Sequence, residues 1–355
     1  MDFNRMLQKI YSKLRTRGES AIVASVSLPR LMTVQLDITN ACNLSCSHCY
    51  HPNHSNKGAL SLNDWKSILD KIEIFLRKYK CTPSITFCGG EPLLSPLLKP
   101  LISEIDRRWP DLEILILTNG TMYKNSIFQS RSSNRTSFQV SLDGPDEVSH
   151  DQVRGKGSFQ RSVAGISQIL ANGHPVSILS ILSQRSAPRI ADYFSLAKTL
   201  GVNSQNFTRL IAEGHGRILV DSKTDLPLAG IALKEALTDI LVESYRSGVP
   251  TNTNQPLFAL LDRSFGQNGL FGFDSIIVDY KGNLKASSRS SLILGNILQN
   301  NLEDLYIKNS VLNEIRGRKI DVCGACELFE DCGGDRNAAF AEYGSFTARD
   351  PGCWK

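Results

Sequence analysis

Three cysteines stand within eight residues near the start of the chain, in the stretch ACNLSCSHCY. They follow the spacing C-x3-C-x2-C and are Cys42, Cys46 and Cys49. Three thiolates can hold a cubane iron–sulfur cluster by three of its irons, which leaves the fourth iron free to bind another molecule. A structural zinc site normally needs four protein ligands, and a nearby histidine could be the fourth: His48, His51 or His54. The spacing predicts a metal site that is either such a cluster or a zinc knuckle, and the motifs that follow in the chain favour the cluster.

A second group of cysteines lies near the end of the chain. Its spacing is C-x2-C-x5-C-x20-C, and its members are Cys323, Cys326, Cys332 and Cys353. Four thiolates fill the ligand set of a cubane and leave no iron open. The spacing alone equally allows a four-cysteine zinc site. Outside both groups, Cys88 is most simply a small buried residue, and Cys81 has no assigned role.

The composition is that of a globular protein. Of 355 residues, 41% are hydrophobic and 21% are charged, and the net charge of +5 gives no strong argument for a nucleic-acid partner. We find no signal peptide and no apolar run long enough to span a bilayer. Seven of the nine cysteines fall in two clusters, which indicates metal ligands in a reducing compartment rather than disulfides. The chain is therefore predicted to be cytoplasmic.

Strand-like runs alternate with helical patterns through the first two thirds of the chain. Six strand-like runs cover 31–39, 84–92, 112–120, 137–145, 175–183 and 204–214. The helical patterns between them, starting with 61–80 after Ser61 as N-cap, indicate βαβ units and a parallel sheet. Six units predict an α/β fold with a partial (β/α)6 TIM-like barrel. In parallel barrels the chemistry lies at the C-terminal ends of the strands, where the motifs fall.

The pattern changes after residue 220. A helix at 229–247 is followed by a probable hairpin at 273–287, which turns at Lys281-Gly282-Asn283, and then by the second group of cysteines. We predict three parts: a helical N-terminal extension (1–30), the barrel (31–220) and a small C-terminal iron–sulfur domain (221–355). The extension is a basic amphipathic helix expected to pack on the body of the protein.

The first cysteine motif, after a strand and followed by the sequence GGEP at 89–92, resembles the radical S-adenosylmethionine (radical SAM) superfamily over residues 32–220. The resemblance implies a [4Fe-4S] cluster whose open iron is chelated by the amino and carboxylate groups of SAM. It also implies that the reduced cluster breaks the sulfonium C–S bond. The resulting 5′-deoxyadenosyl radical would then abstract a hydrogen atom from the substrate.

The resemblance also implies SAM contacts in the loops after the strands. Gly89 and Gly90 would let the backbone approach the SAM amino group, and Glu91 would add negative charge beside it. Arg154 would bind the carboxylate, because a guanidinium matches a carboxylate fork. A surface ion pair with Asp151 is the alternative for Arg154.

Further contacts are expected around the sugar and the base of SAM. Ser141 and Asp143 could bond the ribose hydroxyls or the amino-acid end, although Asp143-Gly144-Pro145 alone would read as a turn. His48 stands where the family usually has an aromatic residue against the adenine. Ile211 is expected to line the adenine pocket.

The C-terminal cysteines, with GDRNAA and DPGC between and beside them, resemble the SPASM domain of radical SAM enzymes. Full SPASM domains carry two auxiliary clusters, and part of the first is held by a cysteine in the hairpin and by one at the position of Arg336. Here the hairpin reads LKASSRSSLILGN without cysteine. We therefore expect one auxiliary [4Fe-4S] cluster, which conducts electrons or supports the fold.

The substrate is less clearly indicated than the chemistry. SPASM relatives favour modification of a ribosomally made peptide by crosslinking, oxidation or epimerisation, and tetrapyrrole (haem) or sugar metabolism is the alternative. A zinc or redox-sensing binding module is an alternative of another class. No catalytic base is identified, and the hairpin offers candidates by location only: Asp274, Asp279 and Tyr280.

Partners follow from the same resemblance. An electron donor such as flavodoxin or ferredoxin is expected to reduce the cluster. Only 41 residues precede Cys42, which is too few for a peptide-recognition domain, so a separate peptide-docking protein is a possible partner. The substrate itself would be a peptide or a small molecule.

Overall fold

The computed structural model describes residues 31–51, 53–266 and 274–355. The helix predicted within residues 1–30 lies outside these ranges. Ten α-helices within them are numbered in chain order as α1 Leu62–Tyr79, α2 Leu98–Arg108, α3 Glu147–Arg154, α4 Ser158–Ala171, α5 Ile190–Leu200, α6 His215–Asp221, α7 Gly230–Ser247, α8 Leu302–Tyr306, α9 Ser310–Arg316 and α10 Arg336–Tyr343. None of them combines the length and apolar character needed to cross a bilayer.

The predicted parallel sheet is confirmed. Its strands are β1 Leu31–Asp37, β2 Thr82–Cys88, β3 Ile114–Thr118, β4 Thr136–Ser141, β5 Val176–Leu182 and β6 Ser204–Arg209, and neighbours in sequence pair in parallel. Strands β3, β4 and β5 alternate buried and half-buried residues, whereas β1 and β2 end in continuous buried runs. The sheet forms a partial (β/α)6 TIM-like barrel, in which helices cover the parallel strands.

Helix α1 shows why the crossovers form where the sequence predicts them. Ser61 caps the helix, since its hydroxyl accepts from Asp64 N while the Asp64 carboxylate accepts from Ser61 N. The buried side chains recur at helical spacing and are Trp65, Ile68, Leu69, Ile72, Phe75 and Leu76. This stripe joins the barrel core and fixes the connection between β1 and β2.

The predicted hairpin is present, but it continues the barrel sheet. Strand β7 (Ser275–Val278) pairs in parallel with β1, and β8 (Asn283–Lys285) and β9 (Ile293–Asn296) follow as antiparallel neighbours. The sheet order is therefore β6-β5-β4-β3-β2-β1-β7-β8-β9. One hydrophobic core runs from the barrel into the C-terminal region, so β7 brings that region against the end of β1.

Candidate active site

A cavity of about 290 Å³ opens at the C-terminal ends of the parallel strands. Its wall includes Cys42, Cys46 and Cys49, from the loop that follows β1. It also includes seven of the eight residues predicted to contact SAM, which are His48, Gly89, Gly90, Ser141, Asp143, Arg154 and Ile211. Residues from the ends of all six parallel strands or the loops after them thus meet in one space, as the strand pattern predicts.

The three thiols of the first group are surrounded by hydrogen-bond donors. Cys42 Sγ lies 3.5 Å from Leu44 N, and Cys49 Sγ lies 3.3 Å from His51 N. Arg154 Nη1 lies 3.8 Å from Cys46 Sγ. All three thiols are free. N–H donors around sulfur stabilise negative charge on thiolates, and hydrogen bonds to the sulfurs tune an iron–sulfur cluster.

Burial disfavours charge on these thiols, so a thiolate here needs a positive partner. Burial raises the pKa of Cys42 to about 11, and it raises the pKa values of Cys46 and Cys49 as well. Metal ligation requires thiolates, and positive iron compensates the charge that burial disfavours. The three thiols could therefore hold a [4Fe-4S] cluster by three irons.

The nearby histidines take different positions. His48 Nε2 lies 2.7 Å from Asp143 Oδ2 and so faces a carboxylate. His54 Nε2 lies 3.9 Å from Cys49 Sγ. Across the described ranges, no group of three or more His, Cys, Asp or Glu side chains is close enough to hold one metal ion. A cubane differs from a single ion because it spreads its ligands over separate irons.

The two glycines are required by the approach of two loops. Gly89 has a φ of +131°, and a Cβ there would lie 2.1 Å from Thr39 O. A Cβ on Gly90 would lie 2.3 Å from Ala41 O. Gly90 N also donates to Thr39 O at 2.8 Å. The glycines thus seat the cysteine loop directly on the end of β2, a requirement that exists before any ligand binds.

Asp143 is the electrostatic centre of the cavity wall. Its Oδ2 atom accepts from Arg154 Nε at 2.6 Å and lies beside His48 Nε2, and its Oδ1 accepts from Ile181 N at 2.8 Å. Burial alone would raise the pKa of Asp143, but Arg154 and His48 outweigh it and hold that pKa well below the usual range. Arg154 pairs with Asp143 rather than with Asp151, so the surface-pair alternative is wrong.

Glu91 does not take the predicted place beside the SAM ammonium. It is fully buried, and its carboxylate accepts from Thr118 Oγ1 at 2.8 Å, Asn119 N at 2.8 Å and Leu93 N at 3.0 Å. Among the residues that the structure describes, those that line the cavity do not include Glu91. The carboxylate instead ties the loop after β2 to the loop after β3, because the Pro92–Leu94 turn that it caps directs it inward.

The barrel and its cysteine loop match the model of a known protein family. Residues 36–183 match the model of the radical SAM superfamily, a span that runs from the end of β1 past β5 and includes every wall element described above except Ile211. The chain carries a domain of the radical SAM superfamily over these residues. It is an enzyme of that superfamily, which overturns the alternative of a zinc or redox-sensing binding module.

Relatives of this radical SAM enzyme extend over nearly the whole chain. An AdoMet-dependent heme synthase of Methanosarcina barkeri is 26% identical over 94% of this chain and 98% of its own length. The mycofactocin maturase MftC of Mycobacterium tuberculosis is 26% identical over 89% of this chain and 81% of its own length. Among solved structures, native anSMEcpe with bound AdoMet and Cp18Cys peptide has a TM-score of 0.71 at 19% identity, covering 92% of this chain and 94% of that one. This structural similarity shows the fold.

The C-terminal cysteines of the radical SAM enzyme also come together. Cys326 N donates to Cys323 O, and the charges of Cys323 and Cys326 act on Cys353. Cys332 Sγ accepts from Leu257 N at 3.3 Å. All four are free thiols with partial or full burial. Four thiolates are the ligand set of a cubane and of a zinc site alike, although in the described ranges no three of these side chains lie close enough to hold a single ion.

Arg336 occupies the position at which the first auxiliary cluster would take a cysteine. Its guanidinium is buried and donates to Phe346 O at 3.0 Å and Ala348 O at 2.5 Å. Its Nη2 atom lies 3.6 Å from Cys323 Sγ. The side chain therefore holds the final loop of the chain against the cysteine turn.

A buried ion pair that sequence reasoning missed joins the barrel to this loop. Arg209, the last residue of β6, donates to both carboxylate oxygens of Asp350 at 3.0 and 2.9 Å. Asp350 also accepts from Asp335 N and Gly352 N, each at 2.7 Å. The available signals in the sequence were an arginine at the end of β6 and an aspartate before Pro-Gly-Cys.

The candidate bases of the hairpin separate in space. Asp279 and Tyr280 follow β7 and line a second cavity beside the first. Asp274 precedes β7 and so lies at the opposite end of the sheet, where burial raises its pKa to about 6. Its candidacy is wrong, because β7 runs parallel to β1 and only its C-terminal end reaches the site.

Proposed function

We propose that this radical SAM enzyme abstracts a hydrogen atom from a ribosomally made peptide. The observation that carries the chemistry is the convergence of three free thiols with Gly89, Gly90, Asp143 and Arg154 around one cavity. Cys42, Cys46 and Cys49 would hold the [4Fe-4S] cluster. When bound and reduced, the cluster supplies the electron that cleaves SAM and yields the 5′-deoxyadenosyl radical.

The other wall residues would position SAM. Arg154 is buried and already paired with Asp143, so its remaining N–H groups face the cavity beside Cys46. A guanidinium held in this way suits the SAM carboxylate. Ser141 and Asp143, with His48, would meet the ribose and adenine, and Ile211 would cover the base.

Cavity size supports a peptide over a macrocycle. The second cavity, next to the first, has a volume of about 200 Å³. Pockets for drug-sized ligands measure about 300–1,000 Å³, so this space suits a side chain better than a tetrapyrrole. MftC is by name a maturase, and the anSMEcpe structure holds a peptide.

A tetrapyrrole is the second candidate substrate. It is favoured by the heme synthase of M. barkeri, which is similar to this chain over almost the full length of both. Anaerobic incubation with SAM and a reductant, followed by mass spectrometry, separates the two. One reaction contains the product of a short reading frame beside the gene, and the other contains an iron porphyrin. A mass change in only the porphyrin reaction rejects the peptide proposal.

The C-terminal thiols would hold an auxiliary [4Fe-4S] cluster, with Cys323, Cys326, Cys332 and Cys353 as ligands. Arg336 in the place of a cysteine supports the loss of the first auxiliary cluster. We further propose reduction by flavodoxin or ferredoxin, peptide delivery by a separate docking protein, and a cytoplasmic location. Free thiols in two groups support a reducing compartment.

Metal content tests both cluster assignments. We would measure iron and sulfide per chain after anaerobic reconstitution, in the wild type and in a variant with Cys42, Cys46 and Cys49 changed to Ala. Two cubanes predict about eight irons in the wild type and about four in the variant. About four in the wild type and none in the variant would reject the auxiliary cluster. Zinc in place of iron would reject the proposed reaction.

A further inference from the structure

The second cavity adjoins the proposed SAM site and is formed by both parts of the chain. Its wall combines the end of β1, the loop after the cysteines, the segment after β6 and the hairpin β7–β8 with the residues that follow it. Three residues line both cavities, namely Tyr50, His51 and Arg289. A molecule that enters this space therefore lies directly next to the place where the radical would form.

Two buried polar atoms on this wall lack partners. Among the residues that the structure describes, Asp37 Oδ2 and His51 Nε2 are buried without a hydrogen bond. Asp37 is 1% exposed, and only its other oxygen is bonded, accepting from Gln35 Nε2 at 2.8 Å. The adjacent Cys88 thiol is at most a weak donor. Leaving such groups unsatisfied costs stability unless a ligand completes them.

Two cations of the same wall, and the carboxylate of Asp279, form hydrogen bonds with other parts of the protein. Lys285 Nζ donates to Ser288 O at 3.0 Å, and Arg289 Nη1 donates to Thr208 Oγ1 at 2.9 Å. The carboxylate of Asp279 accepts from the hairpin, including Lys281 N at 2.9 Å.

Glu213 is the third carboxylate of the wall, and it is half-buried. The carboxylates of Asp37 and Glu213 are therefore the acceptors of the wall that remain open, and His51 Nε2 donates or accepts according to its tautomer.

We propose that this cavity is a substrate subsite that takes a hydrogen-bond-donating group, held by Asp37 Oδ2. An ammonium, a primary amide and a hydroxyl share this chemistry. The proposal rests on the proposed function, because it makes the cavity the place where the reacting segment is oriented. Asp37 fixes the donor at one end, and the carbon next to it faces the radical across the wall shared through Tyr50.

A matched series of small probes tests the class of ligand. Butylammonium, butyramide and butyrate have similar length and present a cationic donor, a neutral donor and an anionic acceptor. Each is added to the full-length, anaerobically reconstituted, SAM-bound protein, and binding is followed by saturation-transfer NMR. We expect butylammonium or butyramide to bind and butyrate to bind at least tenfold more weakly. Equal or tighter binding of butyrate, or no binding of any probe, overturns the proposal.

A conservative variant links binding to Asp37. Asp37→Asn keeps the size and shape of the side chain and removes its charge, and Asp221→Asn is the matched change at an exposed position. We expect Asp37→Asn to weaken the bound probe about tenfold, as loss of a charge-assisted hydrogen bond does, and Asp221→Asn to leave it unchanged. Equal affinity in all three proteins overturns the proposal.

The proposed function is tested separately on the same wild-type preparation by SAM cleavage. Probe binding without SAM cleavage would reject that function and leave the subsite standing. SAM cleavage together with probe results that contradict the subsite would reject the subsite and leave the proposed function standing.

Discussion

Asp143 and Arg154 form a buried ion pair at the edge of the proposed SAM site, with 2.6 Å between Asp143 Oδ2 and Arg154 Nε. The sequence predicts a separate contact with SAM for each of the two residues, whereas in the structure they also bind each other. The pair also orients His48, since the same carboxylate oxygen lies 2.7 Å from His48 Nε2.

Asp143→Asn should destabilise the protein by about 3–5 kcal/mol, because it leaves the guanidinium of Arg154 buried without a counter-charge. Chemical denaturation of the reconstituted protein measures this loss. The double variant Asp143→Asn/Arg154→Gln should recover part of the stability, since it removes both charges. Equal stability of the wild type and Asp143→Asn would show that the ion pair contributes little.

Gly89→Ala should prevent the cysteine loop from seating on β2, because the new Cβ meets Thr39 O and the backbone is held at a φ of +131°. We expect lower iron loading by the first site and a reduced melting temperature. Gly201→Ala is the control, since Gly201 also has a positive φ of +69° but has open space around its Cβ position. It should cost only about 1–2 kcal/mol and leave the iron content intact. Equal losses of iron and of stability in the two variants would mean that backbone strain, and not the contact with Thr39, causes the loss.

Glu91→Gln should reduce stability more than SAM affinity. The carboxylate accepts three hydrogen bonds from neighbouring loops, and the amide replaces one acceptor with a donor that meets N–H groups. The expected loss is about 1–3 kcal/mol in the free energy of unfolding. Calorimetric titration measures the affinity for SAM. A large loss of SAM affinity with unchanged stability would restore the direct ligand role that the sequence indicated.

Asp350→Asn should loosen the C-terminal loop, because Arg209 would lose the nearer of its two carboxylate partners and keep only Asp335 at 3.7 Å. The expected cost is about 3–5 kcal/mol, together with faster proteolysis near the C-terminus and loss of the auxiliary iron. Glu327→Gln is the control, since its pair with Lys355 is exposed to solvent. Iron loading and proteolysis should match the wild type in that control, and an Asp350→Asn protein that behaves like it would contradict the prediction.

Asp37→Asn should change the pH dependence of stability. Burial raises the pKa of Asp37, although Lys285 and Gln35 oppose the shift. The native state therefore holds the proton more tightly than the unfolded chain does, so the free energy of unfolding decreases as pH rises above about 4. The variant should melt at a higher temperature than the wild type at pH 8, and the difference should shrink toward pH 4.

Other charged and titratable groups line the same cavity and remain in both proteins: Tyr50, His51, Glu213, Asp279, Lys285 and Arg289. Lys285 and Asp279 interact with the charge of Asp37, so the difference between the two melting curves reports Asp37 together with these neighbours. The exposed change Asp221→Asn should give a constant offset at every pH. A constant offset for Asp37→Asn as well would mean that its carboxyl titrates as it does in the unfolded chain.

Local features of this protein were readable from the sequence. The cysteine spacing, the capping of α1 by Ser61 and the alternation of strands with helices depend on residues close together in the chain. The strand ends then predicted which loops meet, because parallel strands all present their C-terminal ends at one edge. Seven of the eight residues predicted to contact SAM line one cavity for this reason.

The tertiary structure alone decided the rest. Asp143 lies 95 residues from His48, and Arg209 lies 141 residues from Asp350, so no local pattern relates these partners. The inward turn of Glu91 and the pairing of β7 with β1 likewise depend on which surfaces pack together. Spacing along the chain determines which groups are available, but ion pairs and cavities form between segments whose distance is set only by the packed core.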